Sequence, residues 1–398
     1  MEFWGYERAD GSVGIRNYVA VLPTVGCGNE IAVRIADAVG NGATALPLSH
    51  SCIYLKADHV RAFRALTGIG KNPNIAAVIV AGIGCEGINC SDLAEAIASS
   101  GKPVEVLTID KEGSYDAVLD KATRIAQKMV IDAALTKRQP FDLSHITMAI
   151  KCGGSDTTSA LASNPVVGWV ADNIVNSGGR VIFTETAELI GAEHIVAKRA
   201  ANKETANRIY EMVARLEKRV KDAGVDIRGS EPTPGNIQGG LTTLEEKSLG
   251  AIIKSGTTPL QGALEWAEIP QKKGLFFMDG SANTPQLFSG MAAAGAQVLV
   301  FSLGGGLPSR FHSQPGYSGI GMPIMPVLKV LSNPQNMGEK EYFDIMVGTV
   351  IQGKESIPQA GDRLLREIIA VASGKPTKLE MLPRYREPMT FYTTEPMM

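Results

Sequence analysis

The stretch Lys151-Cys152-Gly153-Gly154-Ser155-Asp156 determines how this chain is interpreted. It follows an apolar run at 146–150 and precedes a helical pattern at 160–170, so it predicts a strand, a glycine turn and a helix. At such a turn, the unpaired N–H groups and the dipole of the helix N-terminus favour a bound anion. Lys151 and Cys152 add a cation and a thiol beside it. Taken alone, the pattern fits an anion site and an unliganded turn equally well.

The composition is that of a globular protein and predicts a cytoplasmic one. A chain of 398 residues is longer than one hydrophobic core usually supports, which predicts two domains. The net charge of -2 gives no electrostatic reason to expect nucleic-acid or acidic-membrane binding. The N-terminal residues lack the pattern of a signal peptide, and no apolar segment reaches the ~18 residues of a membrane span. Five cysteines without paired spacing predict a reducing compartment.

Short apolar runs alternate with helical patterns through most of the sequence. This alternation predicts an α/β fold of two domains, each with a mainly parallel, helix-flanked sheet. The polar segment 137–140 is interpreted as the linker, which gives a first domain at 1–140 and a C-terminal domain at 141–398. The predicted strands are 18–23, 43–48, 75–80, 104–109, 146–150, 181–184, 275–278, 298–301 and 327–331.

Glycine and polar residues repeatedly follow these strands, where open α/β sheets bind their ligands. Metal-type or acid/base residues at these ends are Cys27, His50, Cys52, Cys85, Glu86, Cys152, Asp156, Glu185, Glu188 and Glu193. The cysteines could instead be small buried apolar residues. Two glutamates three positions apart, at 185 and 188, suit a metal or a general base, or simply an acidic first turn of a helix. The P-loop, the helix-opening dinucleotide fingerprint and the hydrolase elbow are all missing from the sequence.

Seven motifs in order carry a resemblance to a known family. They are Gly14-Ile15-Arg16-Asn17-Tyr18, the cysteine-containing loop at Cys27, Gly82-Ile83-Gly84-Cys85-Glu86, Lys151 to Asp156, Glu185 to Glu193, Pro234-Gly235-Asn236 together with Gly239 to Gly250, and Ala294-Gly295-Ala296-Gln297. Together they resemble the altronate/galactarate dehydratase family over nearly the whole chain. The resemblance implies elimination of a β-substituent from a small 2-hydroxy acid, with a divalent metal that is commonly Fe(2+).

The resemblance also implies roles for individual residues. The expected catalytic residues are Lys151, Asp156, Glu185 and Glu188. The expected substrate-binding residues are Arg16, Asn17, Gly153, Gly154, Ser155, Asn236, Thr242 and Lys247. Arg310 is also expected to bind substrate, on the ground of the insertion described next rather than of the resemblance. The expected metal ligands are Cys85, Glu86, Cys152 and His50.

Two departures from the sugar-acid dehydratases shift the expected substrate. Those enzymes carry a small N-terminal domain that this sequence lacks, so the chain is more similar to the large subunit of the sulfolactate sulfo-lyase branch. A separate small subunit of under about 100 residues and an oligomer are therefore expected. The insertion at 307–325 contains Arg310, whose guanidinium suits a sulfonate. We expect sulfite elimination to pyruvate rather than sugar-acid dehydration. A non-catalytic scaffold subunit and a nicotinamide oxidoreductase are the alternatives of other classes.

Overall fold

The computed structural model describes residues 1–49, 52, 55–305, 321–336, 343–381 and 388–394. Two of the predicted site residues, His50 and Arg310, lie outside these ranges. The strands are β1 (Glu2–Glu7), β2 (Val13–Gly14), β3 (Tyr18–Pro23), β4 (Ala43–Ala45), β5 (Ile75–Gly82), β6 (Val104–Thr108), β7 (Gln139–Asp142), β8 (Thr147–Gly153), β9 (Arg180–Thr184), β10 (Leu260–Leu264), β11 (Gly274–Met278), β12 (Val298–Leu303), β13 (Val327–Leu331) and β14 (Ile345–Met346).

Helices flank both sheets and form many of the connections between successive strands. They are α1 (Asn29–Val39), α2 (Lys56–Lys71), α3 (Cys90–Ala98), α4 (Ile109–Glu112), α5 (Tyr115–Ala134), α6 (Asn164–Asn176), α7 (Glu193–Lys198), α8 (Lys203–Asp222), α9 (Ile227–Ser230), α10 (Pro234–Gln238), α11 (Leu244–Ile252), α12 (Thr284–Ala293), α13 (Gly348–Ile351) and α14 (Ile357–Ala372). Within the described ranges, no helix is long and apolar enough to cross a membrane.

Two parallel sheets confirm the predicted α/β class. Among the described residues, the first has four strands in the order β4-β3-β5-β6, and the second has seven in the order β10-β11-β9-β8-β12-β13-β14. The central strands β12 and β13 are buried at every residue, as expected for a sheet covered by helices on both faces. In each sheet the chain first moves to one side of its starting strand and then returns to the other. This reversal creates a topological switch point beside β3 and another beside β8.

The N-terminal residues form a third, antiparallel sheet that the sequence did not predict. Strand β1 pairs with β2 and with β7, and β7 begins inside the segment interpreted as a linker. The backbone N–H of Trp4 also donates to Ser373 Oγ at 3.1 Å. The predicted boundary at 140 remains a prediction, and the described contacts tie the first strand to the C-terminal half.

The amphipathic pattern over residues 195–220 predicts one long helix, but the structure has two, α7 and α8. The chain leaves helical geometry because Ala201 N donates to Leu260 O at 2.8 Å, at the edge of β10. The Asn202 side chain then caps α8 by accepting from Thr205 N at 2.8 Å. The amphipathic pattern continues across the break between α7 and α8. The sequence pattern therefore does not show this helix boundary, which depends on contact with β10.

Candidate active site

A cavity of about 260 Å³ opens at the carboxyl ends of β8 and β12, the switch point of the seven-stranded sheet. Its walls come from the loop after β8, the turn after β9, and the segments around α10, α11 and α12. The lining residues are Lys151, Cys152, Gly153, Gly154, Ser155, Glu185, Glu188, Glu231, Thr233, Gly235, Asn236, Lys247, Ala282, Thr284 and Phe301. The stretch that determined the sequence interpretation therefore forms one wall of this cavity.

Five ionisable side chains meet at the floor of the cavity and are almost fully buried: Lys151, Cys152, Glu185, Glu188 and Lys254. Lys151 Nζ lies 3.0 Å from Glu185 Oε1. Lys254 Nζ lies 2.6 Å from Glu188 Oε2, 3.0 Å from Cys152 Sγ and 3.4 Å from Glu185 Oε2. Cys152 Sγ lies 3.0 Å from Glu188 Oε2. We call these five residues the charge cluster.

Glu185 is held in an unusual backbone conformation at the end of β9. Its φ of 87° is in the left-handed region, which a non-glycine residue adopts only when surrounding contacts impose it. The contacts come from the next residue, since Thr186 N donates to Gly280 O at 3.1 Å and Thr186 Oγ1 donates to Asp279 Oδ1 at 2.5 Å. Asp279 is itself paired with Arg215 at 2.6 Å. This support directs the Glu185 carboxylate toward Lys151 and the Cys152 N–H, which donates to it at 3.2 Å.

Glu188 and Lys254 reach the cluster from short turns. A 3₁₀ turn, Thr186–Leu189, brings Glu188 to the same side as Glu185. Lys254 lies in a 3₁₀ turn, Ile253–Ser255, directly after α11. Sequence reasoning missed Lys254, although a lone lysine in the apolar run Ala251-Ile252-Ile253-Lys254 was a usable signal, because buried lysines are rare unless paired.

The environment shifts the pKa values of Glu185 and Glu188 in opposite directions. Burial and the nearby Glu188 raise the pKa of Glu185 above its ordinary value. Burial also acts to raise the pKa of Glu188, but Lys254, Lys247 and Lys151 overcome it and hold that pKa at about 2. Burial opposes the charge on Lys254, yet Cys152 and the two carboxylates raise its pKa well above the usual value. Burial and Glu188 raise the pKa of the Cys152 thiol. Two lysines thus face two glutamates and a thiol in one buried cluster.

Cys152, Glu185 and Glu188 could also hold a metal ion, because one ligand atom from each lies within 4.8 Å of the others. A thiolate with two carboxylates suits a divalent transition metal such as iron or zinc. The Lys254 ammonium contacts the same three side chains, so it occupies the position that the ion would take. The residues fit a divalent ion provided that Lys254 withdraws or gives up its proton when the ion binds.

The cavity mouth carries a second lysine with polar partners. Lys247 Nζ lies 2.6 Å from Glu231 Oε2 and 3.3 Å from Asn236 Oδ1. Burial alone would lower the pKa of Lys247, but Glu188 and Glu231 raise it above the ordinary value. Asn236 Nδ2 donates to Ser155 O at 2.9 Å and so joins α10 to the loop after β8. The structure therefore brings together five of the predicted substrate-binding residues, which are Gly153, Gly154, Ser155, Asn236 and Lys247.

Several predicted site residues lie away from the cavity lining. The Asp156 carboxylate accepts from Thr158 Oγ1 at 2.6 Å and Ser159 N at 2.9 Å, as a helix cap does. Thr242 donates through N and Oγ1 to Glu246 Oε2 at 2.7 and 2.5 Å. The Arg16 guanidinium is bound to Glu380 and to the carbonyls of Ile15, Val371 and Lys375. Asn17 donates to Ala133 O at 2.7 Å and accepts from Arg8 at 2.8 Å.

The predicted metal set is divided between the two sheets. Cys85 and Glu86 follow β5 in the first sheet, whereas Cys152 belongs to the charge cluster. The Glu86 carboxylate accepts from Thr24 Oγ1 at 2.6 Å and Gly84 N at 2.7 Å. Burial would raise the pKa of Glu86, but these hydrogen bonds lower it to about 2. Among the described residues, the group close enough to bind one ion contains Cys152 without Cys85 or Glu86.

Comparisons with known proteins agree with this architecture. The C-terminal domain model of D-galactarate/altronate dehydratase matches residues 143–394, and the second-domain model of D-galactarate dehydratase/altronate hydrolase matches residues 5–134. The chain is 38% identical over 383 residues to (2R)-sulfolactate sulfo-lyase subunit beta of Chromohalobacter salexigens, covering 96% of this chain and 95% of that protein. It is 30% identical to altronate dehydratase of Escherichia coli, covering 94% of this chain and 74% of the relative. For galactarate dehydratase (L-threo-forming) of Escherichia coli, the identity is 29%, over 94% and 73% of the two chains. These matches confirm the resemblance found in the sequence: the chain belongs to the D-galactarate/altronate dehydratase family, whose members are lyases.

Proposed function

We propose that this chain is the large subunit of a lyase that eliminates sulfite from (2R)-sulfolactate. The observation that carries the proposal is the match to a sulfo-lyase subunit over 95% of that protein's length, with a higher identity than to the dehydratases. A cavity of about 260 Å³ among the described residues is below the usual ~300–1,000 Å³ of ligand pockets, which favours a three-carbon acid.

In the proposed reaction, a base removes the proton on C2 of the substrate. The C–H electrons form the C2–C3 double bond, the C3–S bond breaks, and sulfite leaves with that electron pair. The resulting enol takes up a proton on C3 and loses the proton of its C2 hydroxyl, which leaves pyruvate. The protein must therefore provide a proton acceptor, a cation beside the substrate carboxylate and a group that stabilises the leaving anion.

The charge cluster and the cavity mouth supply these groups in our proposal. Glu185 Oε1 accepts the C2 proton. Lys151, whose Nζ lies 3.0 Å from that oxygen, stabilises the carboxylate of the substrate as it becomes enolate-like. The loop Gly153-Gly154-Ser155 and Lys247 hold the charged ends of the substrate, since all line the cavity. Glu188 pairs with Lys254 at 2.6 Å in the metal-free site, and Asp156 positions the loop as a cap. Arg310 is the proposed sulfonate-binding residue.

We further propose a divalent metal cofactor, Fe(2+). Cys152, Glu185 Oε2 and Glu188 would hold it, and when bound it would supply positive charge that stabilises the developing anion. We also propose a separate small subunit of under about 100 residues, an oligomeric assembly and a cytoplasmic location. The relative's description as a subunit supports the first of these.

A second candidate function is dehydration of a sugar acid, favoured by the 30% identity to altronate dehydratase over 94% of this chain. The deciding experiment assays the purified chain, with and without Fe(2+) and a co-expressed small partner, on sulfolactate, altronate and galactarate. Sulfite release supports the proposal, and a 2-keto-3-deoxy acid product supports the dehydratase. Turnover of none of these with any partner would overturn both and favour a non-catalytic scaffold subunit.

A further inference from the structure

The first sheet has its own switch point, and cysteines lie on three loops around it. Strand β3 lies between β4 and β5, and all three run parallel, so their following loops meet at one edge of the sheet. Cys27 follows β3, Cys52 follows β4 and Cys85 follows β5. The proposed function above uses none of these three thiols.

All three thiols are exposed, whereas Cys90 and Cys152 are buried. A free cysteine is usually among the most buried residues, because its thiol behaves as a small apolar group. Three exposed cysteines at one sheet edge therefore need a reason other than packing. Gly84, with φ +110°, turns the chain just before Cys85, and a side chain at this position would collide with Asp110.

Hydrogen bonds hold the three loops against one another. The Cys27 and Cys52 loops are joined by Asn29, whose side chain bonds both N–H and carbonyl of Leu48 at 2.8 Å. The Cys27 and Cys85 loops are joined by Thr24 Oγ1, which donates to Glu86 Oε1 at 2.6 Å. The loops of Cys52 and Cys85 are joined by Gly87 N, which donates to Cys52 O at 2.9 Å. Each pair of loops thus has a direct hydrogen bond, which holds the three cysteine-bearing loops side by side.

The spacing argues against one mononuclear ion. An ion with metal–sulfur bonds of about 2.3 Å cannot hold two sulfurs more than about 4.6 Å apart. Within the described ranges, the ligand group that meets a 4.8 Å limit is the one at Cys152, and the three exposed thiols do not form another. We propose that Cys27, Cys52 and Cys85 bind an iron–sulfur cluster, whose several irons can bridge more widely spaced thiolates. Three protein thiolates would leave one iron of a four-iron cluster open to solvent or a small ligand.

The test uses the full-length chain, purified without oxygen and reconstituted with ferrous iron and sulfide. We expect acid-labile sulfide, matched by an equal amount of iron beyond the Fe(2+) proposed for the charge cluster, with the broad visible absorption of sulfide-to-iron charge transfer. The single variants Cys27→Ser, Cys52→Ser and Cys85→Ser should each lose most of the cluster while keeping the thermal unfolding midpoint of the apo-protein. Because the three side chains are exposed, replacing any one of them by serine should leave that midpoint unchanged.

The variant Cys152→Ala is the matched control, because it removes a cysteine from the charge cluster. It can lose the Fe(2+) proposed there but should keep the labile sulfide and the visible absorption of the cluster. Iron or zinc whose binding requires Cys27, Cys52 or Cys85 but comes without labile sulfide would overturn the proposal. Full cluster content in all three serine variants, or its loss in Cys152→Ala, would also overturn it. None of these readouts depends on substrate turnover, so the result is separate from that of the proposed lyase activity.

Discussion

Replacement of Lys254 by methionine is the sharpest test of the charge cluster. Methionine keeps most of the buried volume but removes the ammonium that contacts Cys152, Glu185 and Glu188. One of two buried carboxylates is then left without a balancing cation. Removal of one partner from a buried ion pair costs about 3–5 kcal/mol. A loss of about 1 kcal/mol lowers the thermal midpoint of a domain of about 150–250 residues by about 2–4 °C, so the midpoint should fall by about 6–20 °C.

A divalent ion should reverse much of this loss, since it would replace the missing positive charge at the same atoms. At a metal concentration about 100 times the dissociation constant, binding would restore about 2.7 kcal/mol. The assay is thermal unfolding without oxygen, with chelator or with Fe(2+). The wild-type chain should gain less from metal than Lys254→Met, because its own ammonium competes for the site.

The matched control is Lys102→Met, which removes another buried lysine from the first half of the chain. Lys102 donates to the carbonyls of Gly70 and Asn72, so its loss should destabilise the protein without any rescue by metal. The reasoning would be refuted if Lys254→Met unfolded at the wild-type temperature. It would also be refuted if metal stabilised the variant no more than it stabilises the wild-type chain.

Three further predictions concern the remaining polar residues. Glu380→Gln should cost about 2–3 kcal/mol, because Arg16 loses a charged hydrogen-bond partner. Burial would raise the pKa of Glu380, but Arg16 lowers it below the ordinary value. The stability contributed by the Glu380 carboxylate is therefore complete above the ordinary glutamate pKa and is lost on acidification. Unfolding measured from pH 7 to pH 3 should show this loss in the wild-type chain only. Lys247→Met should raise KM about 10- to 100-fold with a smaller change in kcat, measured by steady-state kinetics, and an unchanged KM would remove Lys247 from substrate binding. Asp156→Asn should keep near-normal kcat because asparagine can still accept from Thr158 and Ser159, whereas a loss of about 100-fold or more would make Asp156 an acid or base.

Much of the fold could be predicted because buried parallel strands have a strong local signal. Strand β13 has the predicted bounds, and β8 and β12 extend the predicted runs by a few residues. The missed strand β1 alternates exposed and buried residues and depends on pairing with β7, a contact across more than a hundred positions. Strand β10 was missed for a related reason, since it is held at the sheet edge by β11 and by the chain at Ala201.

The sequence by itself determined the α/β class, the family and the loop of residues 151–156 at a strand end, because each depends on residues close together in the chain. Only the tertiary structure decided which side chains share one buried volume. It brought Lys254 from another turn onto Cys152, about a hundred positions away, and it bound Arg16 to the C-terminal segment rather than to the cavity. Charge balance decides both outcomes, because a buried ion is stable only beside a partner that the fold, and not the local sequence, supplies.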